Sequence, residues 1–582
     1  MEAGPGQALA PPIHLKKDGE THMGHLVRGA LIALCLALLA PAQALADGGV
    51  CTRPAVGSVV TPPPDLFSDN GVLNVSLNYF TSMDDVGRTL FCFVTPDGME
   101  SPTLHVKPGD VINIHVTNQV PDAPLGASEL VSNTGSLCGS AAMTATSVNM
   151  HFHGLNVTPG CHGDETIHTI INSGESFDYK LRIPANEPPG LYWYHPHIHG
   201  TSSVDVQGGA TGMIEVEGIE NIQPAVAGLP ERFLILRDQQ LGYDGRQKSP
   251  FTPNWDVSIN YVGVPYPNYP PAIIGMQKGT QEFWRIANAS ANTILNLQVQ
   301  YDGLPQPLQI VGFDGVPTGS QDGKRQGTIV TQNSVLLPPA GRVEFIVAAP
   351  SKKVKDARLI TLGIHGGPAA DNNPTRPYAV IHTSDEPAAL PRTPERSGPP
   401  NNQRFERLAD AKVTAQRTLY FYEVPSILAG AAGSPGKSRL KPPAAEPVNF
   451  YITVDGQFNQ LFDPNNPPAI TTNRGAVEEW TIQNRTAEVH EFHIHQIHFL
   501  VEEIDGVPIP KDKQQFYDTH QVDFWDGIGP YPYIKVKMDF RGAVTGDFVY
   551  HCHILDHEDG GMMAIIRVLP KGEASTDVSK RS

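Results

Sequence analysis

One pattern constrains this chain more than any other: a ten-residue strand signature occurs three times. Gly109-Asp-Val-Ile-Asn-Ile-His-Val-Thr-Asn118 recurs as Gly279-Thr-Gln-Glu-Phe-Trp-Arg-Ile-Ala-Asn288 and as Gly475-Ala-Val-Glu-Glu-Trp-Thr-Ile-Gln-Asn484. In each copy a Gly-led turn opens an alternating apolar/polar run, and an Asn follows nine residues after the Gly. Alternation of period two marks a strand with one buried face. The copies lie 170 and 196 residues apart, the spacing of ordinary domains. A second repeat links the outer copies. Gly190-Leu-Tyr-Trp-Tyr-His195-Pro-His197 matches Gly546-Asp-Phe-Val-Tyr-His551-Cys-His553 at Gly, Tyr and both His. Gly (55) and Pro (53) make up about 19 % of 582 residues, against a usual ~12 %. That excess without a period favours short strands and many turns. The chain therefore reads as three β-sandwiches: 47–225, 226–395 and 396–582, with a linker from about Ser384 to Lys412.

The first 46 residues read as a signal peptide. Arg28 precedes an apolar run from Gly29 to Leu39, and Ala44-Leu45-Ala46 supplies a small-x-small cleavage site. Pro41 closes a run too short for a retained membrane span. No Arg-Arg pair precedes it, which points to the general secretory route, and Met23 would itself serve as a start. The mature chain is expected to be periplasmic or secreted, and a monomer. Its net charge of −18 excludes nucleic acid as the default partner, since phosphate backbones need a basic face. Of the cysteines, Cys35 leaves with the signal. Cys51, Cys92, Cys138 and Cys161 allow three pairings that sequence does not choose between, and an oxidising compartment favours two disulfides. Cys552 stands apart, flanked on both sides by histidine.

Chance places on the order of one His-x-His among 22 histidines in 582 residues. There are five: 151/153, 195/197, 197/199, 493/495 and 551/553. Residues two apart on a strand point the same way, so each pair presents two imidazoles to one volume, as a metal requires. Four of the pairs divide equally between the first and third sandwiches. On an extended strand His551 and His553 face one way and Cys552 the other. Cys552, His557 and Met562 are spaced five and five, so a loop can fold the last two back around the sulfur. His490, three residues before His493, faces opposite to His493 and His495 and joins the sulfur side. Two His, one thiolate and a distant thioether match a blue-copper electron-transfer site. The imidazole-only side suits copper that meets dioxygen.

These motifs resemble the multicopper oxidases, most closely their bacterial laccase-like members, over essentially the whole mature chain. The motifs are His151-Phe-His153-Gly154, His195-Pro-His197, His490-x-x-His493-x-His495, and 551–562. The resemblance implies three consecutive cupredoxin-like Greek-key domains and four coppers. It places a type 1 copper on His490, Cys552, His557 and Met562, and a type 2 copper on His151 and His493. A type 3 pair then falls on His153, His195, His197, His495, His551 and His553. Asp164 and Glu558 occupy positions like those that assist proton delivery in such oxidases, with a solvated loop acid as the bland alternative for each. Two departures stand out: Glu491, where Pro commonly follows the first His, and Gln496-Ile497-His498, where Gly-His is more usual.

The first sandwich has Pro196 where the third has Cys552, so it supplies imidazoles but no sulfur. The second has lost both pairs and reads as a spacer that shapes the substrate side. His162, His168, His199 and His498 read as hydrogen-bonded neighbours rather than ligands, Met563 as core, and Trp284 and Trp480 as packing residues. The implied reaction is one-electron oxidation of a phenol or aromatic amine at the thiolate site, through His557, coupled to four-electron reduction of O2 to water. Eleven Met without a Met-rich tract disfavour a cuprous-ion oxidase. Iron and manganese oxidases and a periplasmic copper-tolerance protein remain alternatives, and no carboxylate cluster near His557 is identifiable. A two-domain nitrite reductase is disfavoured by the third repeat, and a non-catalytic relative by the presence of all twelve ligands.

Overall fold

The computed structural model describes residues 50–121, 131–132, 138–140, 142–242, 252–386, 390–396, 398–425 and 448–573; the expected signal peptide, 1–46, lies outside them. Of the described residues 46 % are strand and 4 % helix, and the strands form three sandwiches of one topology. The three signature strands, Val111–Asn118, Gln281–Asn288 and Val477–Asn484, each take an inner position in a sheet. Each pairs in parallel with an earlier strand (Val72–Met83, Glu231–Gln240, Ala415–Pro425) and antiparallel with a later one (Ser176–Arg182, Arg342–Ala348, Tyr533–Asp539). Between the two sheets of each sandwich lies a separate apolar core, centred on Ile114 and Phe152, on Trp284 and Val343, and on Trp480 and Phe492.

The Asn that ends each signature does the same work three times. Asn118 donates from Nδ2 to the carbonyls of Thr146 (2.7 Å) and Ile171 (2.9 Å), Asn288 to Thr293 (2.9 Å) and Leu337 (3.0 Å), and Asn484 to Glu488 (2.7 Å) and Val522 (3.3 Å). Each Oδ1 accepts the backbone N–H two residues on. Buried loop carbonyls need such partners, so the amide staples the following loop to the strand end. Trp284 and Trp480 are fully buried and donate to the Glu two residues before, Glu282 and Glu478, each at 2.8 Å. Those carboxylates in turn grip Arg232 and Arg417 with two hydrogen bonds apiece.

The second face of the outer sandwiches carries the histidines. Gly190–His195 lies between Gly212–Val216 and His151–His153, and Gly546–Cys552 lies between Met563–Leu569 and His490–Ile494. The shared register puts His151 opposite His195 and His493 opposite His551. Two disulfides, Cys51–Cys92 and Cys138–Cys161, select one of the three open pairings. Along the stretch that joins the second and third sandwiches, Phe405 and Leu408 pack against Val316, Val477 and Leu500.

A buried ionic hub ties the first sandwich to the second. Arg285 contacts Glu215 across the boundary (2.9 Å) and Glu231 (2.5 Å) and Glu344 (3.3 Å) within its own sandwich. Glu215 also binds His105 Nδ1 at 2.8 Å, and His105 Nε2 meets Asp65 at 2.9 Å. Burial alone would lower the His105 pKa, but the hydrogen bonds to Asp65 and Glu215 outweigh it and raise it to about 9.

Two outcomes follow from these contacts. Because the folded His105 pKa lies above its unfolded value of ~6.5, its stabilisation is complete below pH ~6.5 and is lost as pH rises through about 9. Thermal melts between pH 6 and 10 should fall more steeply for the wild type than for His105→Asn. Asn288→Leu, which orphans the buried carbonyls of Thr293 and Leu337 and the N–H of Ser290, should cost about 2–4 kcal/mol in chemical denaturation.

Candidate metal centres

The sulfur site is assembled from a strand end, a neighbouring strand and a single helical turn. Cys552 closes Gly546–Cys552, His490 opens His490–Ile494, and His557 sits in Leu555–Asp559. The Cys552 sulfur lies 3.5 Å from His490 Nδ1 and 3.8 Å from His557 Nδ1, and the two nitrogens are 3.1 Å apart. Met562 is fully buried in the same core. Its carbonyl accepts from Cys552 N (3.1 Å) and its N–H donates to His557 O (3.0 Å), which closes the loop around the sulfur. Phe450 stacks on the His557 ring at 4.4 Å. At Glu491, the N–H that a proline would lack donates to the Cys552 sulfur at 3.4 Å. The Glu491 side chain points to the opposite face, fully buried and without a hydrogen-bond partner among the described residues.

Packing brings in carboxylates that sequence reasoning missed. His490 Nε2 meets Glu423 Oε1 at 2.9 Å, and His557 Nε2 meets Glu488 Oε1 at 3.4 Å. Burial and the neighbouring Glu423 push the Glu488 pKa up to about 9. Glu423, although partly buried, is held low by its hydrogen bond to His490. Glu488 could have been suspected from its place two residues before His490, but Glu423 lies 67 residues away and carries no local signal.

On the other face eight imidazoles converge, all buried. Their ring nitrogens form three groups that could each hold an ion: His151, His153 and His493; His153, His195 and His553; and His197, His495 and His551. The last three bring their Nε2 atoms within 3.1–3.2 Å of one another. Five rings anchor one nitrogen outward: His151 Nδ1 on Asp164 (3.0 Å), His153 Nε2 on Asp518 (3.1 Å), His195 Nδ1 on Pro196 O (2.8 Å), His493 Nδ1 on Asp518 O (2.8 Å) and His551 Nδ1 on Cys552 O (3.0 Å). In the first four of these the other nitrogen has no hydrogen-bond partner among the described residues. Burial, reinforced by neighbouring imidazoles, lowers the pKa of His153, His195, His197, His493, His495 and His553 well below 6.5, and burial lowers His551 to about 3. Neutral rings with unpartnered lone pairs facing one volume are what a soft divalent or monovalent cation requires, and the outward anchors fix which nitrogen is offered. The residues present fit copper.

Asp164 and Glu558 are both buried, so neither is a solvated loop acid. Asp164 accepts from His151 and from Phe152 N through Oδ1. Glu558 lies 3.7 Å from His197 Nδ1 and 3.4 Å from His551 Nδ1, and accepts from Ser202 at 3.3 Å. The four other histidines near the motifs stand outside the three-imidazole groups. His498 donates to Asp314 O, His162 to Asp178 O and His168 to Pro464 O, and His199 packs against Phe462.

Gln496 explains a departure noted in the sequence. It has φ +65°, a left-handed conformation, where its counterpart after His153 is Gly154, φ +86°. The side chain offsets the strain by donating to Asp164 Oδ2 at 2.7 Å across the boundary between the first and third sandwiches. Gln496→Gly removes about 1 kcal/mol of backbone strain but also a bond to a buried carboxylate of about 1.5–3 kcal/mol. The variant should be less stable by ~1 kcal/mol in denaturant unfolding; equal or greater stability would show the bond to be idle.

Comparison with known proteins agrees with this geometry. Sequence models of the family described as multicopper oxidase match residues 142–221 and 441–572. The chain is 23 % identical over 477 residues to a multicopper oxidase of Staphylococcus haemolyticus, covering 80 % of this chain and 81 % of that one. It is 25 % identical over 439 residues to a laccase of Haloferax volcanii, covering 71 % and 66 %. Among solved structures, a Campylobacter jejuni multicopper oxidase described as a metallo-oxidase superposes with a TM-score of 0.63 at 22 % identity, covering 89 % and 96 % of the two chains. The Aquifex aeolicus multicopper oxidase McoA gives 0.60 at 18 % identity, covering 88 % and 99 %. The three sandwiches are cupredoxin-like, and the chain is similar to multicopper oxidases in the sequence of its first and third sandwiches and in its fold.

Proposed function

We propose that this protein is a laccase-like oxidase that takes single electrons from phenols or aromatic amines and uses four of them to reduce O2 to two waters. The observation that carries the reading is the strand segment 551–553. Cys552 points to the sulfur site, while His551 and His553 on either side of it point to the imidazole cluster, so a few covalent bonds join the two centres. Copper held by His490, Cys552, His557 and Met562 and by the eight imidazoles, four ions in all, would supply the one-electron chemistry and the site for dioxygen, which zinc cannot. His557, 8 % exposed, offers the ring edge nearest to solvent, and Phe450 holds that ring flat. Asp164, through His151, and Glu558, beside His197 and His551, are the carboxyl groups we assign to proton delivery at the cluster.

The family-level assignment also accommodates a metal-ion donor, and one observation favours that second reading. Glu423 and Glu488 put carboxyl oxygens on the outer nitrogens of both sulfur-site imidazoles, where a ferrous or manganous ion would meet the negative charge of Glu423. Export fits the two disulfides, and domain limits of 47–225, 226–395 and 396–582 fit the strand groupings.

Copper content, the thiolate charge-transfer colour and oxygen uptake with a panel of phenol, aromatic amine, ferrous and manganous donors test the proposal. Cys552→Ser should abolish both the colour and turnover of external donors while the fold is kept; retained turnover would sink the route. Glu423→Gln should raise KM several-fold for a metal-ion donor and leave a neutral phenol unchanged if the second reading holds.

A further inference from the structure

The middle sandwich has no metal-binding group among its described residues, yet one of its side chains reaches the imidazole cluster at one remove. We infer that Arg342 is a positioning residue: it holds Asp518, and through Asp518 it sets which nitrogens His153 and His493 present to the metal. The inference rests on the copper-oxidase reading above.

Arg342 opens the strand Arg342–Ala348 of the second sandwich and is fully buried. Its guanidinium makes a two-pronged contact with the third sandwich, Nη1 to Asp518 Oδ1 at 2.7 Å and Nη2 to Oδ2. Two further donors are committed as well: Nε to Leu191 O of the first sandwich (3.2 Å) and Nη1 also to Ala340 O (2.9 Å). Asp314 completes the frame. Its Oδ1 accepts from Arg342 N (2.8 Å), and its Oδ2 accepts from Asp518 N (3.2 Å) and Thr519 N (3.3 Å). One Arg thereby touches all three sandwiches.

Two cluster imidazoles lean on Asp518 from different sandwiches. His153 Nε2–H donates to its carboxylate at 3.1 Å, and His493 Nδ1–H donates to its backbone carbonyl at 2.8 Å. The two rings stack at 4.0 Å, and their other nitrogens, His153 Nδ1 and His493 Nε2, are the unpartnered ones. A planar fork fixes both carboxylate oxygens in place and orientation, which a point charge does not. Gly154 is part of the same device: a Cβ there would lie 2.6 Å from both Arg342 Nη2 and Asp518 Oδ2. The glycine that ends the His-Phe-His-Gly motif leaves room for the ion pair to pass beneath the ligand strand.

Metal partners at one remove typically change affinity by about 10–100-fold when removed. The test compares wild type, Arg342→Lys and Arg342→Leu, stripped of copper and titrated back against a copper chelator, with the thiolate colour and the imidazole-site electron paramagnetic resonance signal read separately. Arg342→Leu should bind copper at the imidazole cluster about 10–100-fold more weakly and show an altered resonance signal, while the thiolate colour develops as in wild type. Arg342→Lys should fall between the two, because an ammonium can hold one Asp518 oxygen but not both. If Arg342→Leu does not fold, Arg342→Lys alone decides. Wild-type affinity and signal in every folded variant would overturn the inference, and so would equal loss at both centres. A wild type that loads no copper at the cluster would overturn the copper-oxidase reading and this inference together; a wild type that loads normally beside unaffected variants removes only the role of Arg342.

Discussion

The alternation of side chains along one extended strand underlies the rest of this structure. Between Gly546 and His553 the backbone sends sulfur to one face and imidazoles to the other, and the two metal sites exist as separate volumes because of it. A shift of one residue in register would exchange the faces and leave sulfur in the imidazole cluster. The register is held by pairing on both sides of the strand, with Cys552 opposite Phe492 and His551 opposite both His493 and Met563.

Around that strand, buried polar contacts join the sandwiches alongside apolar clusters that cross their boundaries. The turn that carries His557 is gripped from both sides. Gly200 N and Ser203 N of the first sandwich donate to Asp559, and Ser203 Oγ donates to Asp556. From the second, Asn292 Oδ1 accepts from Asp556 N, and Ala291 O accepts from Leu555 N. Asp238 holds that same loop by accepting from Ala291, Asn292 and Thr293 N–H groups. Such contacts are directional, so they fix angle and distance between domains in a way that apolar packing does not. The sandwich without histidine pairs is therefore more than a spacer: it braces the sulfur site through Asn292 and the imidazole cluster through Arg342.

The histidine motifs and the signature repeat needed no structure to be read, because both are local. A period of two states which side chains share a face, and a repeat of Gly and Asn around an alternating run states that one topology is used three times. The roles of the repeated Asn and Trp were legible as positions but not as contacts, since the carbonyls and carboxylates they serve lie in loops and neighbouring strands. Gln496 and Glu491 were visible as departures. That one compensates a left-handed backbone by reaching Asp164, and that the other supplies an N–H to sulfur, depends on neighbours supplied by the fold.

By itself, then, the sequence determined the all-β class, the three modules, and the side of each strand on which sulfur and imidazole fall. The tertiary structure decided which imidazoles of the first and third modules meet and how the four early cysteines pair. It also placed Asp518, Glu423, Glu488 and Arg342 against the ligands. The physical reason is range. Backbone geometry carries direction over two or three residues, whereas the separation between strands hundreds of residues apart is set only when cores, buried ion pairs and loop staples close together.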